Sequence, residues 1–207
     1  MPRLFLVTGA DVVERPGFVE IATAALVAGG CGCALQLRGH GLNGCRLWQL
    51  ARDLRPAADA AGAMLWINDR VDVAVSTRAH GVQLGRRSMP ISEARRLLGA
   101  AVWIGASVHS PGEAAGAISA GADVAVLGNV YETASHPERA ALGREALRQA
   151  SFGGRPIVAI GGISPERVSE VMESGAWGVA VLSGIWGAGD VAAEVRRYRQ
   201  ALAEAPD

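Results

Sequence analysis

Eight short apolar runs, separated by helix-length intervals, limit what this chain can fold into more than any other feature. They fall at 4–7, 34–37, 64–67, 81–84, 102–105, 124–127, 157–160 and 178–182. Several are apolar at nearly every position, as strands buried on both faces are. Segments of helical period lie between them, at 18–28, 42–61, 91–98, 111–120, 164–174 and 191–203. Within 42–61, Leu47, Leu50 and Leu54 form one stripe, and Pro56 is expected to kink or split that helix. Ser164-Pro165-Glu166 reads as a cap followed by a first-turn proline. Strand–helix alternation with right-handed crossovers leaves two architectures, an open doubly wound sheet or a closed barrel. Eight evenly spaced units favour the barrel. The expected fold class is therefore α/β, a single (β/α)₈ TIM barrel, with residues 1–207 as one domain. That length is a little under the usual size of about 250 residues.

Charge excludes several partners. Lys plus Arg and Asp plus Glu balance at 20 each, so no broad positive field draws nucleic acid. No basic amphipathic stretch suggests a membrane surface. The opening apolar run is too short for a signal sequence or a membrane span, and a cytoplasmic protein is expected. The three cysteines, Cys31, Cys33 and Cys45, are an odd number in an ordinary-sized core and read as buried or half-buried fillers, with Cys31 and Cys33 on one strand face.

In such a barrel the chemistry gathers where strands run into the following loops. The residues just past each run are far more polar than the runs themselves: Thr8, Arg38 and His40, Asn68 and Asp69, Gly85 to Ser88, Ser107 and His109, and Asn129 to Thr133. The last two runs end in glycine turns, Gly161-Gly162 and Leu182-Ser183-Gly184. Glycine lets backbone N–H groups approach an anion closely, and a helix starting after the turn adds its positive end. Gly161, Gly162, Leu182, Ser183 and Gly184 are the expected phosphate-binding residues. Gln36, Arg38 and His40 alternate along one strand and so share a side. The planar fork of Arg38 suits a phosphate or carboxylate. Asp69 reads equally as a Mg²⁺ ligand and as a cap of the helix starting at Val71.

Taken in order, these segments resemble the thiamine phosphate synthase superfamily, which includes the synthase (ThiE) and the TenI-like proteins. The resemblance is carried by Gln36-x-Arg38, Asn68-Asp69-Arg70-Val71-Asp72, Gly81-Val-Gln-Leu-Gly85, Gly105-x-Ser107-x-His109-Ser110, Ala159-Ile-Gly-Gly-Ile163 and Val181-x-Ser183-Gly184-Ile185. It implies a small phosphorylated thiazole as ligand and a homo-oligomer, with no nucleic-acid or membrane partner. The wording at 81–88, 107–110 and 128–133 is closest to the TenI-like branch, so a thiazole tautomerase with an altered general base is expected. A proton shift needs an acid/base near neutrality. The tautomerase's histidine position is Asn129 here, which leaves His40, His136, Asn129 and Glu132 as candidates for the catalytic role. Gln36, Arg38, Asn68, Ser107, His109 and Thr133 are the expected substrate-binding residues. Two alternatives stand beside this reading. One is the synthase, which joins a pyrimidine pyrophosphate to a thiazole phosphate with Mg²⁺ at Asp69. Against its pattern, His40 and His136 stand where lysines occur and Ser88 stands where a second Asp occurs. The other is a noncatalytic binding or regulatory protein. No cofactor is expected beyond Mg²⁺ in the synthase case.

Overall fold

A computed structural model describes residues 1–39, 41–133 and 139–206. The chain alternates β1 (Leu4–Val7), α1 (Ala10–Val13), α2 (Phe18–Gly29), β2 (Cys33–Leu37), α3 (Gly44–Ala61), β3 (Met64–Asn68), α4 (Val71–Ser76), β4 (Gly81–Leu84), α5 (Ile91–Leu98) and β5 (Trp103–Val108). It continues with α6 (Pro111–Ser119), β6 (Val124–Gly128), α7 (Gly143–Ser151), β7 (Ile157–Ile160), α8 (Val168–Met172), β8 (Gly178–Val181), α9 (Ser183–Trp186) and α10 (Val191–Glu204). The eight strands are parallel and close on themselves in sequence order. Closure pairs Leu4 with Val179 and Leu6 with Val181. The fold is the expected (β/α)₈ barrel. Among the described residues no helix is long and apolar enough to cross a membrane.

Period-two alternation divides the strand residues between two cores. On β1, Leu4 and Leu6 face the helices, while Phe5 and Val7 join Trp66, Val124, Val126 and Val158 inside the barrel. Phe5 meets Trp66 edge-on, with ring centroids 5.2 Å apart. The indole fits because its neighbours on β4 and β5 are glycines. A Cβ on Gly81 would sit 2.4 Å from the Trp66 ring, and one on Gly105 would sit 2.9 Å from it. The interior is thus filled around Trp66, and a cavity opens at the C-terminal ends of the strands.

Two expectations need correction. Pro56 does not split its helix, since α3 runs through it from Gly44 to Ala61. Pro56 and Arg52, whose carbonyl loses its amide partner, are both exposed, where water replaces the missing bond. Cys31 and Cys45 are exposed rather than buried, and only Cys33 fills the core. Cys31 sits in a 3₁₀ turn, Gly30–Gly32, ahead of β2 and shares no strand face with Cys33. At the opposite end from the opening, His80 accepts the Leu65 amide at Nδ1 (2.9 Å) and meets Asp59 at Nε2 (3.3 Å), a packing role.

Candidate functional site

The strand C-termini surround a cavity of about 860 Å³. Its two sides are built differently. On the β2–β4 side, side-chain amides and a carboxylate form one directed hydrogen-bond chain. Gln36 Nε2 donates to Asn68 Oδ1 (2.9 Å), and Asn68 Nδ2 donates to Asp69 Oδ2 (2.7 Å). The Ser88 hydroxyl donates to the other Asp69 oxygen and accepts the Gly85 amide at 2.7 Å. Asp69 adopts φ 61°, a left-handed conformation that Asp tolerates better than most residues. Its backbone N–H reaches Gln83 O of β4 at 2.8 Å, which carries the carboxylate across the ends of β3 and β4. Of the two readings for Asp69, the helix cap is excluded: α4 starts from Arg70 without any side-chain cap. Arg38 stands nearby. Burial pulls its guanidinium below the ordinary arginine value, and the charge of Asp69 opposes that shift.

On the β7–β8 side the backbone itself lines the cavity. Gly161 (φ 101°) and Gly162 (φ 66°) turn against the loop after β6. Val130 N–H donates to Ile160 O (2.8 Å) and Tyr131 N–H to Gly161 O (3.1 Å). Arg167 donates to Gly162 O at 2.6 Å, and its guanidinium lies 4.5 Å from the Tyr131 ring centroid. The Tyr131 hydroxyl donates to Glu170 (2.6 Å), and its pKa is pushed up to about 12 by burial and then by that carboxylate. Ser183 and Gly184 open α9, so their amides have no acceptor inside that helix. Tyr198 of α10 donates to Ile163 O at 2.8 Å and packs where a Cβ on Gly184 would fall 2.7 Å from its hydroxyl. Two turns twenty residues apart in sequence thus face one space.

Between the two sides, the end of β5 supplies Ser107, and the segments after β5 and β6 supply His109 and Asn129. The His109 ring lies 2.7 Å from Gly128 O through Nδ1. A carbonyl oxygen only accepts, so Nδ1 carries a proton, and in the neutral form of the ring Nε2 is then the acceptor. Ser107 Oγ accepts from Gln83 Nε2 (2.9 Å), which leaves its own proton to donate onward. Asn129 is buried, and its amide nitrogen donates to the backbone oxygens of Tyr131 (3.2 Å) and Arg139 (3.4 Å). It closes the loop and has no exchangeable proton suited to acid/base work.

All the expected binding residues line this one cavity: Gln36, Arg38, Asn68, Ser107, His109, Thr133, Gly161, Gly162, Leu182, Ser183 and Gly184. Asp69 and Asn129 do as well, whereas Glu132 is exposed and outside the lining. His40 and His136 lie outside the described residues. The sequence reading missed Gln83, Arg139, Glu166, Glu194, Arg197 and Tyr198 in the lining. The last three sit on the outward-reading helix α10, where nothing local marks them. Arg86 and Arg87 also line it, and their position directly after β4 was the available signal. Among the described residues no group of three or more His, Cys, Asp or Glu side chains is placed to hold a metal.

Residues 4–185 match the family described as thiamine monophosphate synthase. The chain belongs to this family. A thiamine-phosphate synthase of Methanoculleus marisnigri is 40% identical over 204 residues, covering 98% of this chain and 96% of that one. A putative thiamine-phosphate synthase of Geobacter sulfurreducens is 40% identical over 187 residues, covering 88% and 85%. Among solved structures, thiamine phosphate pyrophosphorylase from Pyrococcus furiosus superposes with a TM-score of 0.84 at 32% identity, covering 98% and 96%. A 3-hexulose-6-phosphate synthase (TM-score 0.68, 15% identity) shares the fold alone. Family relatives of near-equal length therefore bear the synthase name, whereas the local wording at 81–88 and 128–133 had pointed to the TenI-like branch.

Proposed function

We propose that the protein is a thiamine phosphate synthase, joining a pyrimidine pyrophosphate to a thiazole phosphate. The observation that carries this reading is the two-sided cavity. A backbone-lined glycine pocket at β7–β8 faces Arg38, Asn68 and Asp69 at β2–β3 across about 860 Å³. That arrangement suits two anionic ligands held apart with their reacting ends together. The relatives' names support it over the thiazole tautomerase.

On this reading the Gly162 turn and the Ser183-Gly184 amides hold the thiazole phosphate. Arg38 forks onto the diphosphate, and burial makes its hydrogen bonds worth more than at the surface. Gln36 and Ser107 orient the pyrimidine ring, Ser107 through the proton that Gln83 leaves unengaged. Asp69 and the hydroxyl of Ser88 are hard oxygen donors and fit Mg²⁺ in the form it prefers, with one carboxylate and substrate phosphates completing the shell. Bound there, Mg²⁺ would neutralise charge on the leaving diphosphate. With Ser88 in place of a second carboxylate, the chain supplies fewer charges to the ion and the substrate must supply more.

The assay is formation of thiamine phosphate from both substrates with Mg²⁺. No product above the enzyme-free rate would sink the synthase reading. One observation favours a second reading. The fixed tautomer of His109 offers a base that bond formation to a pyrimidine cation does not require. The same preparation is therefore tested with the thiazole carboxylate phosphate. Aromatisation of that compound without synthase activity supports the tautomerase, and binding without turnover of either supports a noncatalytic binder.

A further inference from the structure

The family reading leaves unexplained two consecutive arginines at the mouth of the cavity. Arg86 and Arg87 are exposed and both line it. They are the central residues of a turn over 85–88. That turn is closed by the Ser88 N–H on Gly85 O (3.1 Å) and, in return, by the Gly85 N–H on the Ser88 hydroxyl (2.7 Å). The hydroxyl also donates to Asp69, so the turn is tied to the end of β3. A surface arginine on a loose loop is ordinarily a solvated charge. Here the base of the turn is held by three hydrogen bonds, and both side chains issue from its apex beside the opening.

Among the described residues no hydrogen bond or ion pair reaches Arg86 or Arg87. The nearby carboxylate, Asp69, already receives Asn68 and Ser88, and its charge acts on Arg38. In a closed barrel with sequential strands, β4 stands across from β8. The two arginines therefore oppose the Ser183-Gly184 turn rather than adjoin it. Each planar fork donates paired hydrogen bonds to a phosphoryl group, and two adjacent forks match two linked phosphoryl groups better than one.

We propose that the Arg86–Arg87 turn is a clamp that grips the diphosphate group of a ligand from the β4 end of the cavity. It rests on the two-ligand reading above. Ser88 closes the turn from which the two guanidinium groups are presented.

The test is calorimetric titration of the full chain with inorganic pyrophosphate and, separately, with thiazole phosphate, comparing wild type with R86Q/R87Q. Both side chains are exposed, and a thermal melt of the variant checks its fold. The double variant should bind pyrophosphate about tenfold more weakly or worse, as loss of charge-assisted hydrogen bonds dictates, and bind thiazole phosphate within about twofold of wild type. Unchanged pyrophosphate binding overturns the proposal. Equal loss for both ligands also overturns it, because a general field and not a clamp would then be at work. If wild type makes no thiamine phosphate while pyrophosphate binding still depends on the two arginines, the clamp stands and the synthase reading falls.

Discussion

Gly162→Ala separates two costs that are usually measured together. The native φ of 66° is left-handed, which costs a residue with a Cβ roughly 1–2 kcal/mol. The added methyl would also lie 2.5 Å from Glu132 O and 2.7 Å from Tyr131 Cβ. Neither neighbour yields cheaply, because Tyr131 N–H is bonded to Gly161 O and the Tyr131 ring is held between Arg167 and Glu170. Such overpacking costs about 1–3 kcal/mol. Gly154→Ala is the control: its φ is 73°, and nothing lies within 4 Å of the new methyl. Both substitutions gain about 0.4–1 kcal/mol from the stiffer unfolded chain, and this cancels in the comparison. Urea denaturation should therefore show Gly162→Ala less stable than Gly154→Ala by about 1–3 kcal/mol, with unchanged m-values. Only Gly162→Ala should weaken thiazole phosphate binding, since relief of the clash must move the turn. Equal stability losses would refute the packing argument. Intact phosphate affinity in a destabilised Gly162→Ala would refute the assignment of that turn to the ligand.

Ser88→Asp places a second carboxylate beside Asp69. Mg²⁺ binding followed by calorimetry should tighten by about tenfold, or ~1.4 kcal/mol, and unchanged affinity would show that the two side chains do not share an ion. Nitrogen NMR of neutral His109 should show the proton on Nδ1 and a bare Nε2, and the opposite tautomer would remove the base argument. Cys33 is buried, which raises its thiol from 9.0 to about 12, with Arg199 opposing the shift. The unfolded thiol ionises first as pH rises, so this contribution to stability is complete below about pH 9 and is lost on the way to pH 12. Cys33→Ala should accordingly flatten the fall of unfolding free energy across that window. In the native protein, a thiol reagent should titrate Cys31 and Cys45 quickly and Cys33 only on unfolding.

The barrel was legible because strands buried on both faces leave an unbroken apolar trace. Five of the eight runs, those of β2, β3, β5, β6 and β8, differ from the strands only at their ends. β5 begins at Trp103 and runs on to Val108, past the expected 102–105, because Ser107 looks like a loop residue although it lies within the strand. Helix α7 escaped notice although Leu147 and Ala150 mark its buried face. It has no capping side chain and carries Gly at its first position, so no start signal precedes it. The 164–174 segment was read as one helix and is a 3₁₀ turn, Pro165–Arg167, followed by α8, because Pro165 restrains the first turn.

The site was legible in its membership and not in its wiring. Residue type and position after a strand were enough to collect Gln36, Arg38, Asn68 and the two glycine turns around one cavity. Nothing in a linear sequence states which partner consumes a donor. Asn129 looked like a disabled catalytic position. In the structure its amide is spent on two backbone oxygens, so the side chain that closes the loop cannot also face a substrate with those donors. His109, read as a binding residue, gains a defined tautomer only because β5 and β6 are neighbours and bring its ring to Gly128 O. Ser88 looked like a lost metal ligand, yet its hydroxyl ties Arg86 and Arg87 into a closed turn against Asp69. At Asn129 and Ser88 the substituted residue makes a bond that the expected one would not make in the same way. The departures from the family pattern at these two positions are therefore accompanied by hydrogen bonds that belong to the residues present here.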